Sequence, residues 1–256
     1  MPGNEETVIS FLVQSLQNEE RINFPIIGDL SEVSMPTKEG KKIIRHLSDL
    51  EKFSSNDRYK KADVYLNGYG VSLKEESAPL YNKIQRKHLS GLIKYLFPNK
   101  LDFVKNIISL LDFEIDKVNK GSRRDIHWSK IFSENEFKIF LEFLMMQGYA
   151  DTKISSHQAE YVLIAPKKIS SKNIDEIKLF SFEDYFETYK SKIVIAARRI
   201  WVGSNSNSEN KRALSMSKSA SNKEWIYKNI SGAPRKWDVT FPLKDRREIF
   251  YLNLNT

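Results

Sequence analysis

The chain has 256 residues, 40% of them hydrophobic, with no cysteine and only four histidines. That is enough for one large or two small domains with a real core. It excludes a disulfide scaffold, argues against a structural zinc site, and leaves hard, oxygen-bound cations as the metals to consider. The net charge of +8 is uneven: from residue 190 onward 14 Lys and Arg face 5 Asp and Glu, against 27 and 28 before it, which suits a polyanionic partner or, more plainly, a solvated basic surface.

The opening Met-Pro-Gly-Asn-Glu-Glu has neither the basic start nor the apolar core of a signal peptide, and no apolar run approaches the roughly 20 residues of a membrane span. A soluble, cytoplasmic protein with no membrane partner is expected. Asn4 can cap a helix through Gln17, because Val8, Ile9, Leu12, Val13 and Leu16 fall at helical spacing. Glu5 then lies in the first turn, where a carboxylate ordinarily complements the helix dipole. Residues 19–37 carry Pro25, Gly28 and Pro36 and read as a loop with a short apolar piece. A second helix is predicted over residues 38–53 with Ile43, Ile44, Leu47 and Leu50 inward, followed by a polar linker over residues 54–61.

Residues 61–76, Lys-Ala-Asp-Val-Tyr-Leu-Asn-Gly-Tyr-Gly-Val-Ser-Leu-Lys-Glu-Glu, predict two strands folded back through a turn at Asn67 to Gly70. Strand alternation puts Val64, Leu66, Val71 and Leu73 on one side and Asp63, Tyr65, Ser72 and Lys74 on the other. One side can enter a core, while the other carries a carboxylate beside an ammonium, the minimum kit for metal-assisted phosphodiester cleavage. Asp63 followed by Ser72-Leu73-Lys74 resembles the hairpin of PD-(D/E)XK nucleases, and the sequel Glu75-Glu76-Ser-Ala-Pro-Leu-Tyr-Asn-Lys-Ile-Gln-Arg86 resembles that of type II restriction endonucleases. The family's central acidic position falls at Ser72.

The resemblance implies that Asp63 binds Mg²⁺ with the backbone carbonyl of Leu73, a phosphate oxygen and waters, and that Lys74 stabilises developing charge and orients the attacking water. A preceding helix in such folds often delivers a further Glu to the metal. Glu5 is the best-placed candidate, with Glu6, Glu39 and Glu51 behind it. Because Ser72 cannot replace a carboxylate's charge, Glu5, or less readily Glu75, has to supply the second negative group.

Beyond Lys74, Ser77-Ala-Pro predicts a helix to Phe97 with Leu80, Ile84, Leu92, Ile93 and Leu96 inward. Tyr81, Asn82, Lys83, Gln85 and Arg86 then form a polar face just past the lysine, either solvated or facing base edges in a groove. Residues 98–118 predict another helix, Lys120 to Asp125 a basic loop, and Ser133-Glu-Asn-Glu136 a capping box that opens a helix with Phe137, Phe140, Leu141, Leu144 and Met145 inside and Gly148 at its end. Tyr161 to Ala165 predict a buried strand stopped by Pro166, and the block from Arg123 to Lys167 is similar to that of small restriction enzymes cutting four-base sites such as GCGC. Ser155, Ser156, His157 and Gln158 lie between helix and strand, where a polar loop is the plain reading and DNA contact the functional one. From Ile193 strands and loops return, ending in strand-like Ile249 to Leu254. Arg212, Lys218, Arg235 and Lys236 are interleaved there with Trp225, Tyr227 and Trp237, a mixture that serves a core or a nucleic-acid surface.

The expected protein is thus α/β (α+β), with a PD-(D/E)XK-like mixed central sheet flanked by helices over residues 1–189. A basic strand and loop segment over residues 190–256 is expected to bind DNA within the same compact domain. The resemblance implies a type II restriction endonuclease giving 5′-phosphate ends on double-stranded DNA, with a cognate DNA methyltransferase as genetic partner and room for a homodimer. The rivals are a catalytically inactive DNA-binding protein on the same fold and a nicking or repair nuclease.

Overall fold

The computed structural model describes residues 5–50, 60–75, 80–119, 125–166, 168–169, 171–199 and 248–254. Helix α1 (Glu5–Gln17) forms as its spacing predicts, burying Val8, Ile9, Leu12 and Val13. It is followed by a two-residue ribbon, β1 (Asn23–Phe24) with β2 (Gly28–Asp29), and then by β3 (Val33–Thr37) and β4 (Gly40–Ile43). The expected loop over residues 19–37 therefore contains three strands, and within the helix expected over residues 38–53 the described residues hold β4 followed by α2 (Leu47–Leu50). Ile43 and Leu47, 45% and 38% exposed, are not core residues, so their helical spacing with buried Ile44 and Leu50 is coincidental. Pairing of Ser34 with Ile43 and of Met35 with Lys42 overrides the local pattern.

The hairpin consists of β5 (Val64–Leu66) and β6 (Tyr69–Glu75), with Val64 opposite Val71 and Leu66 opposite Tyr69. Asn67 and Gly68 turn the chain at φ 49° and 86°, the paired left-handed conformation that a two-residue hairpin turn requires. The Asn67 side chain accepts from the amides of Ser31 and Glu32 and donates to the carbonyls of Ile27 and Asp29, tying the turn to the ribbon before β3.

Next come β7 (Tyr81–Gln85), α3 (Arg86–Leu96), α4 (Leu101–Asn119), β8 (Asp125–His127) and α5 (Glu134–Glu142). The predicted helix after Lys74 thus begins only at Arg86, and Tyr81 to Gln85 are strand. Helix α5 opens on the predicted box, in which the Glu136 carboxylate accepts from the Ser133 amide and hydroxyl at 3.1 and 2.5 Å, and it runs on as a π-helical turn, Phe143–Gln147. Gly148 ends that turn in an extended conformation, and glycine is required by space. A Cβ there would lie 2.4 Å from the Phe143 ring and 2.7 Å from the Lys153 carbonyl. The remaining elements are β9 (Tyr161–Ala165), β10 (Lys178–Ser181), α6 (Phe182–Tyr189), β11 (Ile193–Arg199) and β12 (Glu248–Leu254).

Contacts divide the chain into two compact units, neither contiguous in sequence. The first spans Met1–Tyr81, Ser133–Ile193 and Asn253–Thr256. Its mixed six-stranded sheet has the order β10-β9-β6-β5-β3-β4, in which β6 and β9 are parallel and the other neighbours antiparallel. Val64, Leu66, Val71 and Leu73 join α1 in one buried cluster with Val33, Met35, Leu163 and Leu179, so the face assignment read from alternation holds. Helix α6 packs on β9 and β10, and the rings of Phe137 and Phe186, 6.3 Å apart, join it to α5. Lys190 bridges to Glu134 and Glu187, both at 2.8 Å, and Lys138 bonds Glu183.

The second unit, Asn82–Phe132 with Val194–Leu252, holds a four-stranded sheet of order β7-β12-β11-β8. Helices α3 and α4 pack together and bury Leu89, Leu92, Ile93, Val104 and Ile107. Among the described residues no helix is long and apolar enough to cross a membrane.

Candidate active site

Asp63 stands immediately before β5, where its amide donates to the Val71 carbonyl at 2.8 Å and its Oδ2 accepts the Leu73 amide, also at 2.8 Å. The carboxylate is thereby fixed to the strand that carries Lys74 one residue further on. A strand residue turns its N–H and C=O to the same edge, so the Leu73 carbonyl also lies on the Asp63 side of β6. Ser72, 1% exposed, is buried in this part of the sheet and brings no charge.

Glu5, the first residue of α1, joins this group from the helix side. Its carboxyl is pushed up to about 7 by burial and by the nearby negative charge of Asp63, against the opposing pull of Lys74 and Lys60. Two carboxylates and two ammoniums thus share one field. Among the described residues, none of Glu5, Lys60, Asp63 and Lys74 closes an ion pair with another. Glu39 is exposed in the β3–β4 turn, Glu6 is exposed on α1, and Glu51 lies outside the described residues. Glu75 ends β6 opposite Ala165.

The donor set fits Mg²⁺. It is all oxygen, and this cation is ordinarily held by one or two carboxylates with its remaining positions left to water and substrate phosphate. No group of three or more His, Cys, Asp or Glu that could hold a metal ion occurs among the described residues.

Two lysines at the end of the expected linker belong here. Lys60 lies within electrostatic reach of Glu5. Lys61 is buried, its Nζ donating to the Leu144 carbonyl at 2.5 Å and sitting 4.2 Å from the centre of the Tyr149 ring. Burial, aided by Lys74 and opposed by Asp63, pushes its pKa down to about 7. The available sequence signal was the two-residue step from Lys61 to Asp63, which puts both on the same face of an extended segment.

The expected DNA-contacting residues are dispersed. Tyr81, Asn82, Lys83 and Gln85 are on β7 and Arg86 opens α3, so they do not form the helical face that the sequence suggested. Ser155 and His157 are buried and engaged internally. Ser155 Oγ accepts the Lys61 amide at 2.9 Å and donates to the His157 carbonyl at 2.8 Å, while the His157 ring bonds Tyr65 Oη at 2.8 Å and the Thr37 carbonyl at 2.7 Å. They organise the segment before Asp63 and offer DNA no polar edge. Ser156 and Gln158 are exposed. Arg212, Lys218, Arg235 and Lys236 lie outside the described residues. No protein-family model matches the chain, and no curated protein or solved structure matches it.

Proposed function

We propose that the chain is a Mg²⁺-dependent endonuclease of type II restriction character, hydrolysing phosphodiester bonds of double-stranded DNA at specific sequences and leaving 5′-phosphate and 3′-hydroxyl ends. The observation that carries this reading is the convergence of Glu5, Asp63 and Lys74 without mutual ion pairing. Charges that serve only the fold usually pair; a preorganised group left open suits a ligand that brings its own charge.

Asp63, Glu5 and the Leu73 carbonyl would hold the cation. Bound there, Mg²⁺ would neutralise charge building on the phosphate and make water a better nucleophile. Asp63 is held in place by the Leu73 amide, so this ligand needs little reorganisation. Lys74 donates to the oxygen on which charge develops and orients the attacking water for in-line displacement. Glu5 takes up its proton near neutrality in the metal-free protein and must release it to act as a ligand, so cation binding and deprotonation are linked.

The basic C-terminal segment supplies sequence-independent attraction to the DNA backbone, and the β7 residues Asn82 and Gln85 with exposed Gln158 are the base-reading candidates. A cytoplasmic enzyme, used as a homodimer and paired with a DNA methyltransferase, belongs to the same proposal. Digestion of a sequenced phage genome tests it: discrete bands whose mapped ends share one motif support restriction, whereas smearing or single-strand nicks favour a repair or nicking nuclease. Ser72, in place of the family's acidic residue, favours a second reading, an inactive DNA-binding protein, which predicts a stable complex and intact DNA.

A further inference from the structure

The passage from α5 into a π-helical turn has a consequence at the candidate site. In an α-helix the Leu144 carbonyl would accept the amide of Gly148, and in a continued π-helix that of Tyr149. Here the Gly148 amide donates to Phe143 at 2.7 Å and the Tyr149 amide turns away to Lys153 at 2.9 Å. The Leu144 carbonyl is thus released from the helical ladder, and a buried carbonyl needs a donor. The neighbouring released carbonyls are taken by backbone amides of the following loop, Met146 by Ala159 at 2.8 Å and Gln147 by Ser155 at 2.7 Å. Leu144 is met instead by a side chain, the Nζ of Lys61.

The tie is reinforced along the segment that leads to Asp63. Tyr149 Oη donates to the Lys60 carbonyl at 2.7 Å, its ring lies under the Lys61 ammonium, and the Lys61 and Ala62 amides both donate to the His157 carbonyl, at 2.8 and 2.9 Å. Residues 60–62 are therefore held from several directions, immediately before Asp63, whose carboxylate accepts the Leu73 amide.

We propose that Lys61 is a positioning residue for the reaction, anchoring the lead-in to β5 on the π-helical turn so that Asp63 meets Leu73 and faces Lys74. Lys61 acts through Asp63 and makes no contact with substrate. The anchor holds in either charge state, because ammonium and amine both have an N–H to donate to Leu144. The role rests on the nuclease reading for its effect on rate, and on the hydrogen-bond geometry alone for its effect on Asp63.

Lys61→Met keeps an unbranched stem but leaves the Leu144 carbonyl without its donor; Lys61→Arg can still donate to it and lie over Tyr149. Two readouts are needed: hydrogen exchange of the Leu73 amide by NMR, with the Leu163 amide of β9 as the control for global opening, and steady-state cleavage at saturating Mg²⁺. Lys61→Met is expected to lose Leu73 protection by about tenfold or more with Leu163 unchanged, and to lose kcat by up to the order of 10²-fold with KM for DNA unchanged, as a small displacement near reacting groups produces. Lys61→Arg is expected to recover most of both. Unchanged Leu73 protection in Lys61→Met, or a loss of activity that Arg does not restore, overturns the proposal. If Lys61→Met does not fold, Tyr149→Phe, which removes the bond to the Lys60 carbonyl, decides: a smaller loss of Leu73 protection supports the anchor, and none overturns it. A wild-type protein that cuts no DNA sinks the nuclease reading, while the exchange measurement still decides whether Lys61 positions Asp63.

Discussion

Two charged groups in the same compact unit use the same residue types to opposite ends. Between α5 and α6, Lys190 closes on Glu134 and Glu187 and Lys138 closes on Glu183, so each ammonium is satisfied by a carboxylate. At the start of β5, Glu5, Lys60, Asp63 and Lys74 gather without closing, and the Glu5 carboxyl is driven up to about 7. The first is a fastening, largely exposed and of small value to stability. The second leaves its charges unpaired, with Glu5 held against ionisation chiefly by burial, and under the proposed function a cation and a phosphate would complete the set.

If that contrast is right, the largest effect belongs to Lys74. Lys74→Ala should lower kcat by roughly 10³-fold or more while DNA affinity stays within about twofold, because the role proposed for the lysine is in the transition state and not the ground state. Single-turnover cleavage with parallel binding isotherms measures both, and a wild-type rate in the mutant would put the chemistry elsewhere.

Asp63→Asn should come next, removing Mg²⁺-dependent cleavage. The amide oxygen can still accept the Leu73 amide, so a circular dichroism melt should show a folded protein. Collapse of the fold instead would make Asp63 a structural residue.

Glu5→Gln should lower cleavage and also change the pH dependence of stability. The folded-state pKa lies above the ordinary 4.5, so the stabilising contribution of protonated Glu5 is fully present below 4.5 and is lost as pH rises through about 7. Glutamine has no such loss. The mutant should gain stability over wild type by on the order of 1 kcal/mol at pH 8, after allowance for solvent screening, and nothing comparable at pH 4. Urea melts at the two pH values measure this, and an equal difference at both would contradict it. The smallest effect is expected at the fastening: Lys190→Ala should lower the melting temperature slightly and leave the cleavage rate untouched.

What the sequence disclosed follows the range of the interactions involved. The hairpin, its turn and its two faces were legible because alternation and Asn67-Gly68 are local, and α1, the box at Ser133 and β9 were legible for the same reason. Asp63 and Lys74 are brought together by that local pairing. Glu5 was reached only through resemblance, since a helix-dipole partner and a site carboxylate look alike in a first turn. The β3–β4 hairpin was hidden because Ile43, Ile44, Leu47 and Leu50 imitate a helix and only pairing with Ser34 and Met35 decides otherwise. Lys61, Ser155 and His157 are hidden for a different reason: besides the local bonds between Ser155 and His157, they are held by partners 83 to 120 residues away, beyond the reach of any local pattern.

Cleavage of a supercoiled plasmid by wild type and Lys74→Ala, each with Mg²⁺ and with EDTA, tests the proposed nuclease site most directly. Wild type with Mg²⁺ should give linear DNA or discrete fragments whose 5′ ends carry phosphate, and the other three reactions should leave the plasmid supercoiled. Cleavage that survives EDTA, or that Lys74→Ala performs at the wild-type rate, or a plasmid left intact by wild type with Mg²⁺, would contradict the assignment of Glu5, Asp63 and Lys74 as a metal-dependent nuclease site.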